Sequence, residues 1–275
     1  MIKKAGKFFS LAIAISLMLS GCGKSSLAEV NYSIKCYNVG KGDAFLIYSD
    51  DSAVMIDTGY KENADDLLSD MEDLGVESLD CLIISHFDKD HVGGAAKIID
   101  KMDIKRVIST YQTNEDKRTV KFFEALEEKG IDDEIISENK SFTIDDAEYD
   151  VYPAQSREYS DKEDNNSSLL VRMSYEDFSM LFTGDAETER LSEYSSYGDI
   201  SSTILKVPYH GHFQSILSEL VKQCSPEYAI ITSSNDVPED IDTMKILEQS
   251  DIKTYITRNG DILIQTDGSN VKISQ

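Results

Sequence analysis

All four histidines of the chain fall in two short loops, and each loop follows directly on an apolar run. The first loop, Ser85-His86-Phe87-Asp88-Lys89-Asp90-His91-Val92-Gly93-Gly94, comes after the continuous run Cys81-Leu82-Ile83-Ile84. The second, Tyr209-His210-Gly211-His212, comes after the strand-like segment Thr203–Val207. Between His86 and His91 two imidazoles and two carboxylates are packed into six residues. Such crowding is unfavourable unless something neutralises the carboxylates. A divalent cation does so, using nitrogen and oxygen ligands of this kind. Gly93 and Gly94 allow the backbone to turn tightly beneath such an ion. The competing reading, a solvated polar loop with surface histidines, fits a stray His-Asp pair better than it fits this cluster.

The N-terminus carries a different signal. Lys3, Lys4 and Lys7 precede an apolar run from Phe8 to Leu19, which is too short for an ordinary transmembrane helix. Leu19-Ser20-Gly21-Cys22 then resembles the lipobox of bacterial lipoproteins. The expected organisation is a signal peptide over 1–21, a lipidated Cys22 with a tether over 22–29, and one hydrolase-sized domain over 30–275. An ordinary secretory cleavage site is the alternative. The expected location is therefore outside the cell, anchored by lipid at the outer face of a bacterial plasma membrane. No Pro/Gly/Ser-rich linker or internal repeat divides the remainder. The formal charge is −24, and removal of the three leading lysines makes it more negative still. That balance opposes a large nucleic-acid face. Cys36, Cys81 and Cys224 show no metal-type spacing and read as buried small hydrophobes, with a disulfide left open.

Periodicity places strands at Tyr32–Asn38, Ala44–Tyr48, Ala53–Ile56, Cys81–Ile84 and Arg106–Ser109. Helices are expected over Asn63–Leu74, near Ala95–Met102 and over Lys117–Lys129, the first and last closed by Gly75 and Gly130. The second half reads similarly, with strands at Phe142–Ile144, Tyr149–Tyr152, Ser168–Met173, Ser179–Phe182, Thr203–Val207 and Tyr228–Ile231. Helices are expected near Glu187–Tyr194, Ser215–Cys224 and Ile241–Gln249, and Gln155–Ser167 reads as a loop. Asn259-Gly260, between Tyr255–Thr257 and Ile262–Gln265, is a hairpin signal. Together these suggest two mixed sheets with helices outside.

The first histidine loop resembles the H-x-H-x-D-H signature of the metallo-β-lactamase superfamily, with Asp88 in place of the second His. Met55-Ile56-Asp57-Thr58-Gly59, Leu181-Phe182-Thr183-Gly184-Asp185-Ala186-Glu187 and Leu205-Lys206-Val207-Pro208-Tyr209-His210-Gly211-His212 resemble further superfamily segments in the right order. A more specific resemblance is to the extracellular hydrolase domain of ComEC-type competence proteins. Its V-G-Q-G-D, S-H-x-D-x-D-H-x-G-G, N-x-S-L, T-G-D and H-H-G pattern corresponds to Val39–Asp43, Ser85–Gly94, Asn165–Leu169, Thr183–Asp185 and Tyr209–Gly211. Asp88 is a shared feature of that branch. The fold implied is the four-layer αββα sandwich, an α/β (α+β) architecture. The metal ligands implied are His86, Asp88, Asp90, His91, Asp185 and His210, holding two divalent ions, Zn2+ or Mn2+.

Two departures matter. No histidine lies between 91 and 210, so the family's third His is missing, with Asn165 or Asn166 as a weaker neutral substitute. Tyr209 replaces the first His of the His-His-Gly pair. Asp90, His91, His210 and a bridging Asp185 thus furnish one metal position well, while His86, Asp88 and Asp185 make a poorer, oxygen-rich one. The family mechanism implies two ions roughly 3.5–4 Å apart that generate hydroxide from a bridging water. Asp90 would accept the nucleophile's proton, and His212 would donate to substrate or leaving group, a plain surface histidine being the alternative. Asp43 and Asp57 read as supports behind the ligands or turn residues. Lys41, in the Gln position, would meet an anionic substrate unless merely solvated. The activity implied is hydrolysis of a phosphodiester, DNA included, with an ester or lactam also open. The alternative from another class is a lipid-anchored, non-catalytic binding protein with a degenerate site.

Overall fold

The computed structural model describes residues 30–193 and 197–275. Residues 1–29, over which a signal peptide, a lipidated Cys22 and a tether are expected, lie outside the described residues. In chain order the strands are β1 (Tyr32–Cys36), β2 (Ala44–Tyr48), β3 (Ala53–Thr58), β4 (Ser78–Leu79), β5 (Cys81–Ile84), β6 (Asp103–Ile104) and β7 (Val107–Ser109). Then follow β8 (Asp133–Ile135), β9 (Lys140–Ile144), β10 (Ala147–Tyr152), β11 (Leu170–Tyr175), β12 (Phe178–Phe182) and β13 (Ile204–Lys206). The last are β14 (Tyr228–Ile231), β15 (Lys253–Ile256), β16 (Ile262–Thr266) and β17 (Val271–Ser274). The helices are α1 (Ala64–Asp73), α2 (Ala95–Lys101), α3 (Lys117–Lys129), α4 (Glu163–Asn166), α5 (Thr188–Leu191), α6 (Leu217–Cys224) and α7 (Ile241–Gln249).

Two mixed sheets carry the fold. The first has the order β17-β16-β1-β2-β3-β5-β7-β8 and the second β15-β14-β13-β12-β11-β10-β9. Alternation along each strand explains how they stack. Phe45 and Ile47 of β2, Val54 and Ile56 of β3, and Cys81 and Ile83 of β5 meet Met180 and Phe182 of β12 between the sheets. The intervening Leu46, Met55, Leu82 and Ile84 face Leu67 and Met71 of α1, Ile98 of α2 and Phe122 of α3. On the far side Leu181 and Leu205 pack with Leu217, Leu220 and Val221 of α6 and Leu247 of α7. Cys81–Ile84 is uniformly apolar because both of its faces are covered, one by a sheet and one by helices. The αββα layering expected from the sequence is thus observed.

Several local expectations change. Asn259-Gly260 does not make a hairpin: β15 pairs in parallel with β14 of the second sheet, whereas β16 pairs with β1 and β17 of the first. The dipeptide instead ends a single 3-10 turn, Thr257–Asn259, that carries the chain from one sheet to the other. Two hairpins that do form, β9–β10 and β11–β12, turn at Asp145 and Glu176, which take the left-handed backbone a tight turn demands. The Gln155–Ser167 stretch contains the short helix α4. The helix expected to Tyr194 spans only Thr188–Leu191, and Tyr194 itself lies outside the described residues. Cys36, Cys81 and Cys224 are buried and unpaired among the described residues.

Candidate metal centre

Parallel pairing brings the site together. β3 and β5 run in parallel, so Asp57 and the Ser85–His91 loop leave the first sheet at one edge. β12, β13 and β14 also run in parallel, so Asp185, His210 and Thr232 leave the second sheet at a matching edge. Backbone bonds stitch these loops to one another. The Thr58 amide donates to the His91 carbonyl at 2.7 Å, Asp43 to Asp90 at 3.1 Å, and Tyr209 to Gly184 at 3.2 Å. The approaches leave no room for side chains at two glycines. A Cβ at Gly42 would lie 2.7 Å from the Asp90 carbonyl oxygen, and one at Gly94 would lie 2.6 Å from that of Thr58. Gly94 is therefore required for close packing and not for a special turn.

Four of the expected ligands form one buried cluster: the ligand atoms of Asp90, His91, Asp185 and His210 all lie within 4.8 Å of one another. His91 Nε2 is 3.3 Å from Asp185 Oδ1, and His210 Nε2 is 2.9 Å from Asp185 Oδ2. His86 joins from the side, its ring centroid 4.0 Å from that of His91. Asp88 stands at the rim, its Oδ2 3.8 Å from His86 Nε2 and its side chain 39% exposed. His212 is not brought into the cluster. Its Nδ1 lies 3.7 Å from Asp240 Oδ2, and its ring packs 4.8 Å from that of Tyr209.

Every histidine of the cluster is held from behind through Nδ1. The Ser85 hydroxyl donates to Asp57 Oδ2 at 2.6 Å, so its contact with His86 Nδ1 at 3.1 Å makes the ring nitrogen the donor. The Thr232 hydroxyl likewise donates to Asp43 Oδ1 at 2.6 Å, and His210 Nδ1 donates to Thr232 at 3.0 Å. His91 Nδ1 bonds Asp57 Oδ2 directly at 2.8 Å. These bonds turn all three Nε2 atoms inward, the tautomer and orientation that metal ligation requires. Asp43 is itself anchored by the fully buried Lys206, whose Nζ lies 2.7 Å from Asp43 Oδ2 and donates to the Gly184 carbonyl at 2.9 Å.

Electrostatics separates the members. Burial and the charge of His91 hold His86 down to about 3, so it is neutral at physiological pH. Burial pushes Asp88 up to about 6. Burial also opposes ionisation of Asp185, yet the charges of His210 and His91 outweigh it and hold the carboxylate well below its ordinary range. Reciprocally, burial disfavours the charged imidazole of His210, but Asp185 overcomes this and raises it to about 9.

The donor set suits a cation. His86 Nε2, His91 Nε2, His210 Nε2 and both Asp185 oxygens are buried without a hydrogen-bond partner. Even the 2.9 Å approach of His210 to Asp185 lacks hydrogen-bond geometry. These atoms face a shared space instead of each other. Asn166 is committed elsewhere, because its carbonyl oxygen accepts from the Glu187 amide at 3.1 Å and the Arg190 amide at 3.4 Å, which occupies both of its lone pairs. Asn165 spends its amide nitrogen on Glu187 Oε1 at 2.6 Å. Lys206 and Thr232 escaped the sequence reading. A lysine inside the otherwise apolar β13, just before His210, was the signal available for the first; Thr232, one residue past β14, carried none.

Residues 37–232 match the family described as the metallo-beta-lactamase superfamily. The chain is similar to ComE operon protein 3 of Bacillus subtilis, at 29% identity over 59% of this chain and 21% of that protein. It is also similar to Recombination protein 2 of Haemophilus influenzae, at 25% identity over 81% of this chain and 27% of that protein. It thus spans about a quarter of the length of these curated relatives. Among solved structures, the metallo-beta-lactamase fold protein YhfI from Bacillus subtilis superposes with a TM-score of 0.57 at 10% identity. That match covers 89% of this chain and 100% of the other, and establishes likeness of fold.

Proposed function

This chain belongs to the metallo-beta-lactamase superfamily, and on that premise we propose that it is a hydrolase using two divalent ions to cleave a phosphodiester. The observation that carries the reading is the convergence of five buried polar atoms that lack hydrogen-bond partners, drawn from His86, His91, Asp185 and His210. Each such atom left unsatisfied is unfavourable by about 1–3 kcal/mol, and a cation relieves all of them together. One ion would be held by Asp90, His91, His210 and Asp185, the other by His86, Asp88 and the shared Asp185. The oxygen-rich second set suits manganese as well as zinc. Bound divalent ions would lower the pKa of water and polarise a phosphoryl oxygen.

The chain's own residues supply the rest. Asp90 stays ionised against burial because the imidazoles of His210, 3.5 Å away, and His91 stand beside it, so it can accept a proton released at the centre. His212, outside the cluster and beside Tyr209, is the candidate donor to a leaving group. The names of the relatives, a recombination protein and a ComE operon protein, make DNA the first polymer to test. The net charge of −24 favours a short or small diester over an extended nucleic-acid track. We further propose export and anchoring through a lipid on Cys22, for which detergent partitioning should vanish in Cys22→Ala.

One screen tests the reaction. Protein loaded with Zn2+ or Mn2+ is incubated with bis-p-nitrophenyl phosphate, single-stranded DNA and nitrocefin. Metal-dependent release of p-nitrophenol is the expected result. Turnover of nitrocefin alone would move the activity to lactams. Bound metal with no turnover of any substrate would favour the lipid-anchored binding protein with a degenerate site.

A further inference from the structure

Lys41 reaches into the centre from the loop between β1 and β2. Its Nζ lies 2.8 Å from Asp90 Oδ2 and 4.0 Å from Asp185 Oδ2, with the side chain 23% exposed and both carboxylates almost fully buried. These are oxygens of the very carboxylates that complete the Asp90–His91–Asp185–His210 cluster. We propose that the Lys41 ammonium competes with a divalent cation for the Asp90–Asp185 side of the centre, so that filling this position requires the lysine to turn outward.

The inference rests on the metal-centre reading above and follows from charge and reach. An ammonium and a dication on neighbouring carboxylate oxygens repel strongly where water screens them poorly. The other charges behind the site do not share this conflict. Lys206 is committed to Asp43 Oδ2 and the Gly184 carbonyl, and sits 3.9 Å from Asp185 Oδ1 with no exposed surface through which to withdraw. Lys41 has a flexible stem, partial exposure and a landing place, since its Nζ already lies 5.5 Å from the centre of the Tyr209 ring. Turned along that ring it would still offer a positive charge at the mouth of the site, where an anionic substrate enters.

The test is a Mn2+ titration of the full chain by calorimetry and by electron paramagnetic resonance of free ion, comparing wild type with Lys41→Gln and Lys41→Arg. Glutamine removes the charge; arginine keeps it. Lys41→Gln should bind the ion of the Asp90–His91–Asp185–His210 position at least about tenfold more tightly than wild type, and Lys41→Arg should not. Melting temperatures should cross: Lys41→Gln below wild type in chelator, above it in saturating Mn2+. A second measurement needs no variant. Acetylation of Lys41 by acetic anhydride, read by mass spectrometry, should accelerate when wild type is loaded with Mn2+. Equal or weaker binding by Lys41→Gln, or an unchanged acetylation rate, overturns the competition while leaving the centre intact. Failure of wild type and both variants to bind any ion overturns the metal-centre reading itself.

Discussion

The two halves of the centre are built to different standards. In the half formed by Asp90, His91, Asp185 and His210, side chains are buried and each histidine is braced by a buried carboxylate, directly for His91 and through Thr232 for His210. In the other half, His86 is braced in the same way, through Ser85 to the buried Asp57, but Asp88 stands 39% exposed at the rim with no such support behind it. Bracing fixes ligand orientation before an ion arrives, so less ordering remains to be done on binding. The difference teaches that ligand count alone does not rank two metal positions. The braced half has preorganised ligands but a resident competitor in Lys41. The loose half has few ligands but a histidine already neutral.

Substitution of the ligands should expose the asymmetry most strongly. Asp185→Ala removes the residue common to both halves and should abolish retention of both ions, with a fall in hydrolysis of more than about a hundredfold. Asp88→Ala should cost only the ion of the loose half, leaving about one equivalent in elemental analysis. Equal metal loss in both variants would break the comparison.

Proton release should sharpen it. Ligation requires neutral imidazole. His210, held at about 9 by Asp185, is protonated at pH 7, and Asp185 and Asp57 raise His91 in the same direction against its burial. Filling the braced half at pH 7 must therefore release protons, and its affinity should keep climbing above pH 7 as His210 titrates near 9. His86 carries no proton to lose above about 3, and Asp88, near 6, has lost its own by pH 7. The loose half should gain affinity only up to about pH 6 and then level off. Calorimetry in buffers of different ionisation enthalpy measures both. The smallest effect is expected at His212, which belongs to neither half. His212→Ala should leave metal content unchanged and lower kcat/KM by about tenfold, the loss of one hydrogen bond to substrate.

Sequence made the candidate ligands of the first loop legible because His86, Asp88, Asp90 and His91 are neighbours in one loop after an apolar strand. The sheets were legible where both faces are covered, as in Cys81–Ile84. What lay hidden is what depends on partners far along the chain. The Thr232–Asp43 bond joins residues 189 apart, and nothing local at either one announces it. β8 and β17, at the two edges of the first sheet, carry weak apolar patterns because much of their surface meets solvent. Asn259-Gly260 misled for the opposite reason: a strong local turn preference was spent on a change of sheet.

The backbone at His210 has a consequence for how this protein could evolve. Tyr209 and His210 both take left-handed conformations, with φ of 48° and 53°, before Gly211 at 87°. For non-glycine residues this is unfavourable by about 1–3 kcal/mol each. A glycine at 209 would relieve part of it, yet would strip away the ring that lies beside Lys41 and His212. Selection for a sturdier fold and selection for a working site thus pull this one position in opposite directions. A lineage relieved of its chemistry should drift toward glycine there first.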